Sequence, residues 1–197
     1  MVEWKRLGDI CSFNRGRTIT AKDAIEGDVP VIAGGQTPSY YHNESNRTGG
    51  TFGGKADAYI ARDLFEEYKN KFSYPQKGDI LISAAGTIGR SVVFDGEDAY
   101  FQDSNIVWIA NDETLVTNRY LYYFYQVADW KTDGGTIKRL YNYNLKNTEI
   151  PVPSFSEQNR IVSILDTFEA SIANLEAQLE LREKQYEYYR NKLLTFE

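Results

Sequence analysis

From Ser154 to the end of the chain there is no glycine and no proline, whereas everything before is broken by Gly, Asn, Asp or Tyr every few residues. Within this tail Ile161, Leu165, Phe168, Ile172, Leu175, Leu179, Arg182, Tyr186, Tyr189, Leu193 and Phe196 follow in alternating steps of four and three. All but Arg182 are apolar or aromatic, so a heptad seam runs for about five heptads, a coiled-coil pattern. Ser154 followed by Glu157 is a capping box, with Pro153 just before it. A helix from Glu157 to Leu194 would be a rod of roughly 55–60 Å at ~1.5 Å per residue. A small domain cannot cover such a rod, and the narrow stripe calls for a second helix. The alternative is a helix folded back along its own domain.

The fold class expected is α+β: a strand-rich domain over 1–153 and one long helix over 154–197. "VPVIA" (29–33), "DILISA" (79–84), "SVVF" (91–94) and "NIVWIA" (105–110) are short β-branched runs bounded by turn residues. "DLFEEYKN" (63–70) and "TNRYLYYFYQVADW" (117–130) read as helices. In the second, Tyr120, Leu121, Phe124, Val127 and Ala128 recur at helical spacing and are assigned to the core, the alternative for its tyrosines being a base-stacking platform.

Several function classes drop out on composition. The lone cysteine, Cys11, excludes a disulfide framework within the chain and fits a reducing compartment. Met1 leads into "VEWKRLGDI", which has no apolar stretch of signal-peptide type, and no apolar run reaches membrane-spanning length. A soluble cytoplasmic protein is expected, so the sequons at Asn43 and Asn46 carry no weight. The net charge of -6 argues against strong non-specific DNA binding. With 17 basic and 20 acidic residues in 1–155, and 5 and 8 in 156–197, the excess is mild and leaves room for a local basic face.

Chemistry-bearing motifs are few. "GGTFGGKA" (49–56) has the glycines and Lys55 of a phosphate-binding loop, but Ala56 stands where Ser or Thr would hold magnesium. A glycine-rich surface loop is the better reading. His42 and Cys11 form no zinc spacing. Asp95, Glu97 and Asp98 are carboxylates suited to a hard cation, yet Gly96 among them after a strand fits a β-turn. A methyltransferase would need a glycine-rich strand-to-helix turn for its cofactor, and none is found. No catalytic residues or metal ligands are assigned.

Polar loops suited to reading bases are abundant. "NRGRT" holds Arg15, Arg17 and Thr18; "GGQTPSYYHN" holds Gln36, Thr37 and Tyr40. "GTIGR" supplies Arg90, "QDSN" supplies Gln102 and Asn105, and "GGTIKRLYNYN" supplies Lys138, Arg139 and Asn142. Arg suits guanine, Asn and Gln suit adenine, and Lys suits phosphate. Composition by itself does not choose between DNA and a carbohydrate ligand. A ligand-binding domain on a dimeric coiled-coil stalk is the rival.

The order of motifs adds to this. "EWKRLGDICSFNRGRT", "GDVPVIAGG", "KGDILISAAGTIGRSVVF", "FQDSNIVWI" and "GGTIKRLYNYNLKNTEIPVPSFSEQNRIVSILD", closed by a heptad helix ending "YRNKLL", resemble the specificity subunit of type I restriction-modification systems over nearly the whole chain. The resemblance implies a target recognition domain that reads one half of a bipartite site in double-stranded DNA. It implies a helix that is spacer and docking post for methyltransferase subunits, and no chemistry in this chain. S-adenosylmethionine, ATP and magnesium are then expected on the methyltransferase and the restriction/translocase partners. Family members resemble two copies of domain plus helix, with the helices antiparallel; this chain holds one copy. An antiparallel homodimer through Ile161, Leu165, Phe168, Ile172, Leu175, Leu179, Arg182, Tyr186, Tyr189 and Leu193 is expected. The flank carrying Glu169, Glu176, Glu183 and Arg190, with Glu180 and Glu187 in a second column, is either a methyltransferase contact or a solvated acidic face.

Overall fold

The computed structural model describes residues 2–17, 27–32, 59–85, 88–101, 105–134 and 138–196. The glycine-rich loop at 49–56, His42 and the sequons lie outside the described residues. By its internal contacts the chain divides into two units, Met1–Gln158 and Asn159–Glu197.

In the first unit nine strands, three α-helices and a short 3-10 turn (Leu7–Asp9) are described. β1 (Glu3–Arg6) pairs antiparallel with β9 (Glu149–Val152), in the register Glu3↔Val152 and Trp4↔Pro151. Pro151 lies within β9 and is tolerated because a two-stranded ribbon has only edges. A four-stranded antiparallel sheet follows the order β2 (Cys11–Arg15), β8 (Ile106–Asn111), β5 (Ile80–Ser83), β6 (Ser91–Val93). Every residue of β5 is buried, as its continuous apolar run "ILIS" requires. A smaller sheet sets β3 (Val29–Ile32) between β4 (Tyr59–Ile60), antiparallel, and β7 (Tyr100–Phe101), parallel.

Among the described residues, two apolar clusters pack on the sheets. Leu81, Val92, Phe94, Ala99, Phe101, Ile106 and Trp108 form one. Val29, Val31, Ile60, Tyr100 and Phe65 of α1 (Arg62–Lys71) form the other. Tyr74 packs against both, with its ring 5.6 Å from Phe65 and 5.9 Å from Phe94. Its hydroxyl donates to the Ala99 carbonyl at 2.9 Å and accepts from the Ala99 N–H at 3.1 Å, so the half-buried phenol both donates and accepts.

The aromatic segment forms α2 (Asn118–Val127), shorter than expected, with Thr117 as its N-cap. Its buried stripe is Tyr120, Leu121 and Tyr125. Val127 is 80% exposed and Phe124 only half-buried, which corrects the assignment of both to the core. The chain leaves the helix at Ala128 in extended backbone, and Trp130 folds back onto Tyr125 at 5.5 Å. That contact covers Tyr125 in a helix where five of the ten residues are aromatic. A short helix, α3 (Asn142–Asn147), forms within "NYNLKN", where Asn144 Oδ1 accepts from the Tyr141 N–H at 2.8 Å.

The second unit is filled by α4, which runs from Phe155 to Leu194 with its first residues in the first unit. Ser154 Oγ accepts from the Glu157 N–H at 3.4 Å, a cap where the sequence puts one. Gln158, in the first turn, is completely buried in the first unit. Its side-chain oxygen accepts from the Thr117 N–H at 2.9 Å, and its amide donates to the Leu115 and Pro153 carbonyls, each at 3.0 Å. α4 is therefore tied to the N-terminus of α2 at its root.

Candidate nucleic-acid interface

The register of the four-stranded sheet brings several predicted loops to one end of it. Arg15 lies opposite Val107, Ser83 opposite Ile106, and Ile82 opposite Ser91. The exits of β2 and β5 and the entries of β8 and β6 thus share one edge. Backbone bonds knit the connections together there. The Gly16 N–H donates to the Ile106 carbonyl at 3.4 Å, Ala84 to Asn105 at 2.7 Å, Ser83 to Arg90 at 2.9 Å and Leu140 to Ala84 at 2.8 Å. A bridge from Ala85 to Arg139 adds the segment before α3. Arg15, Arg90, Asn105, Arg139 and Asn142, drawn from four separate stretches of sequence, all stand at this end.

Arg15 is the best-defined member. Its Nε donates to Asn142 Oδ1 at 2.7 Å and its Nη2 to the Leu140 carbonyl at 2.8 Å. Burial, and then the charge of Arg139, both push its pKa below the ordinary arginine value. Like charges in partial burial disfavour each other, and an anion beside them would relieve that cost. Arg17 follows at the exit of β2, its N–H on the Phe101 carbonyl at 3.1 Å and its guanidinium 4.7 Å from the Phe72 ring centre. Arg90 and Lys138 are exposed. Thr18, Gln36, Thr37, Tyr40 and Gln102 lie outside the described residues.

Asp133 organises the other side of this edge. Its backbone exchanges two hydrogen bonds with Arg139, at 3.0 and 2.8 Å. Its carboxylate accepts from the Tyr143 hydroxyl and from Asn144 Nδ2, the latter at 2.8 Å. These bonds, the phenol's first, hold its pKa below the usual carboxylate range. The exposed rings of Tyr141 and Tyr143 stack 5.7 Å apart at an angle of 6°. Neither tyrosine nor Asp133 was singled out from the sequence, although "YNYN" places two aromatics one residue apart.

The acidic group 95–98 does the work of a turn. Asp95 accepts from the Glu97 N–H at 2.9 Å around Gly96, whose φ of 89° suits glycine. Asp98 binds Arg62 at 2.5 Å and Lys69 at 3.1 Å, and Arg62 also reaches Asp28 at 2.7 Å. Among the described residues no group of three or more potential ligands is arranged to hold a metal ion, and no helix is long and apolar enough to cross a membrane.

Along α4, Ile161 and Leu165 are half-buried, while Phe168, Ile172, Leu175, Leu179, Tyr186, Tyr189 and Leu193 are all at least half exposed. Arg182, the charged seam position, donates to Gln185 on the same helix at 2.8 Å. In the flanking columns Glu180 pairs with Lys184 at 2.6 Å and Glu187 with Arg190 at 3.8 Å.

Comparison with known proteins agrees with this architecture. The sequence model of the family described as "Type I restriction modification DNA specificity domain" matches residues 1–182. A putative type I restriction enzyme specificity subunit of Haemophilus influenzae is 64% identical over 152 residues, covering 75% of this chain and 40% of its own length. A type I restriction enzyme specificity subunit of Escherichia coli is 29% identical over 205 residues, covering 99% of this chain and 45% of its own. The chain belongs to the family of type I restriction-modification DNA specificity domains, as the order of its motifs implied. The crystal structure of the type I restriction-modification S subunit from M. genitalium shares the fold, with a TM-score of 0.62 at 17% identity over 100% of this chain and 46% of that one. The chain thus spans less than half the length of these relatives.

Proposed function

We propose that this chain is the DNA-recognition subunit of a type I restriction-modification complex, reading one half of a bipartite site and docking methyltransferase subunits through α4. The observation that carries the reading is the convergence of Arg15, Arg90, Arg139, Asn105 and Asn142 at one end of the four-stranded sheet. Cations there anchor phosphates and amides read base edges. On sequence grounds Arg17, Thr18, Gln36, Thr37, Tyr40, Gln102 and Lys138 belong to the same face. The chain works in the cytoplasm and performs no chemistry. S-adenosylmethionine, ATP and magnesium act on the methyltransferase and restriction/translocase partners.

Two copies of the chain pair antiparallel through the seam of α4, which otherwise exposes Phe168, Ile172, Leu175 and Leu179. Antiparallel pairing carries the two heads to opposite ends of the rod, where each meets a half-site on one duplex. A two-fold axis between them makes the target an inverted repeat. The test is selection from a library of randomised duplexes with the full chain. The expected product is two identical inverted half-sites at a fixed spacing. Failure to enrich any sequence, with or without methyltransferase subunits, would refute DNA recognition.

A further inference from the structure

Scattered surface tyrosines need no explanation, but Tyr141 and Tyr143 are not scattered. They are 40% and 53% exposed and stacked nearly parallel. Tyr143 is tied through its hydroxyl to Asp133, and Asp133 is in turn fixed by Asn144 and by paired backbone bonds to Arg139. Asn142, the residue between the two rings, takes the hydrogen bond of Arg15 Nε. An apolar surface is thus held rigid within the cationic cluster assigned to DNA. A ring already pinned loses little conformational entropy when a ligand packs on it. The bonds that set Arg15 and Arg139 run through Asn142, Leu140 and the backbone of Asp133 rather than through the rings themselves.

We propose that Tyr141 and Tyr143 form an aromatic plate that packs against the sugars and base edges of duplex DNA, beside the cations that hold its phosphates. This rests on the DNA reading above and adds to it a contact that carries no charge. Continuity with Arg15 and Arg139 argues for DNA as the occupant: a duplex whose phosphates reach both guanidinium groups lies within reach of the tyrosines between and beside them. The plate contributes affinity through apolar contact, including contact with thymine methyl groups, and so biases the half-site.

Charge-free contact has its own signature. Phosphate contacts set the slope of log affinity against log salt, at about 0.9 per contact, and apolar contacts do not. The probe is the duplex recovered by selection, titrated with full chain over a salt series. Tyr143→Ala should weaken binding about tenfold with the slope unchanged, in keeping with aromatic–base contacts. Tyr143→Phe, which keeps the ring and loses the bond to Asp133, should bind within about twofold of the unaltered chain. Arg139→Ala should lower the slope by about 0.9. Tyr143→Leu serves as a second truncation should the alanine variant melt early, with a loss of several-fold expected. Wild-type affinity in both truncations overturns the plate; so does a Phe variant as weak as the Ala variant, which would leave only the tie to Asp133. Wild-type DNA affinity together with lost capture of methyltransferase subunits would assign the rings to a protein partner and overturn it as well. If Arg139→Ala binds normally too, the assignment of this end of the sheet to DNA fails; if only the tyrosine variants bind normally, the plate alone fails.

Discussion

Gln158 is the side chain whose loss should cost most for its size. Its amide is completely buried and fully used, with one acceptor and two donors engaged at 2.9–3.0 Å. In Gln158→Ala the Thr117 N–H and the Leu115 and Pro153 carbonyls lose their partner together. Each unsatisfied buried group costs about 1–3 kcal/mol. The Thr117 and Leu115 sites are only partly buried, so water can recover some of that, and a net loss of about 2–4 kcal/mol is expected. Gln158→Glu sharpens the argument. A carboxylate there still accepts from Thr117 but faces two carbonyl oxygens without a proton to offer. Its folded pKa should lie above the unfolded value of about 4.3. The destabilisation of the glutamate variant should therefore be greatest at neutral pH and shrink as the pH falls below the folded pKa, where a protonated acid regains one donor. All three tryptophans, Trp4, Trp108 and Trp130, lie in the first unit, so urea unfolding followed by their fluorescence reports on the head. A loss under about 0.5 kcal/mol for Gln158→Ala, or a glutamate variant indifferent to pH, would refute the claim that this amide ties the root of α4.

Gly89 has a φ of 84°, and a Cβ there would stand 2.3 Å from Trp130 Cδ1, so Gly89→Ala should cost about 3 kcal/mol in the same assay; a loss under ~1 kcal/mol would contradict the geometry. Cys11 is buried and its thiol pushed up from 9.0 to about 12 by burial, so alkylation at pH 8 should be at least ~100-fold slower in the native protein than in denaturant. The same shift means that the unfolded chain ionises first, and stability should decline as the pH climbs from 9.0 toward 12, a decline that Cys11→Ala should lessen. Leu175→Glu combined with Leu179→Glu should give monomers by light scattering with an unchanged head melt; a monomeric parent chain would count against pairing through the seam.

What the sequence revealed follows the range of the interactions. The seam of α4 and strands β5 and β8 are patterns within a few residues, and they were legible. The β1–β9 pair joins residues at opposite ends of the head, and neither "EWKR" nor "EIPV" has a strand's alternation, so its existence rests on tertiary context. The polar loops could be named one by one, but Arg15 and Asn142 are 127 residues apart, and only the sheet's register shows that they meet. In α2, tyrosines on every side blur the apolar stripe, which is why Val127 was placed inside and Tyr125 was not. Gln158 had no local signal, because a buried glutamine is recognised only by the backbone groups around it.

The central claim is that one end of the four-stranded sheet holds DNA. It is tested most directly by neutralising Arg17, Arg90, Lys138 and Arg139 together as glutamines and measuring affinity for the selected duplex across a salt series. The account predicts a large loss at low salt and a slope reduced by about 0.9 for each phosphate contact removed, some 2–3.6 for the set. Unchanged affinity and an unchanged slope, in a variant whose tryptophan-monitored unfolding matches the parent's, would contradict it.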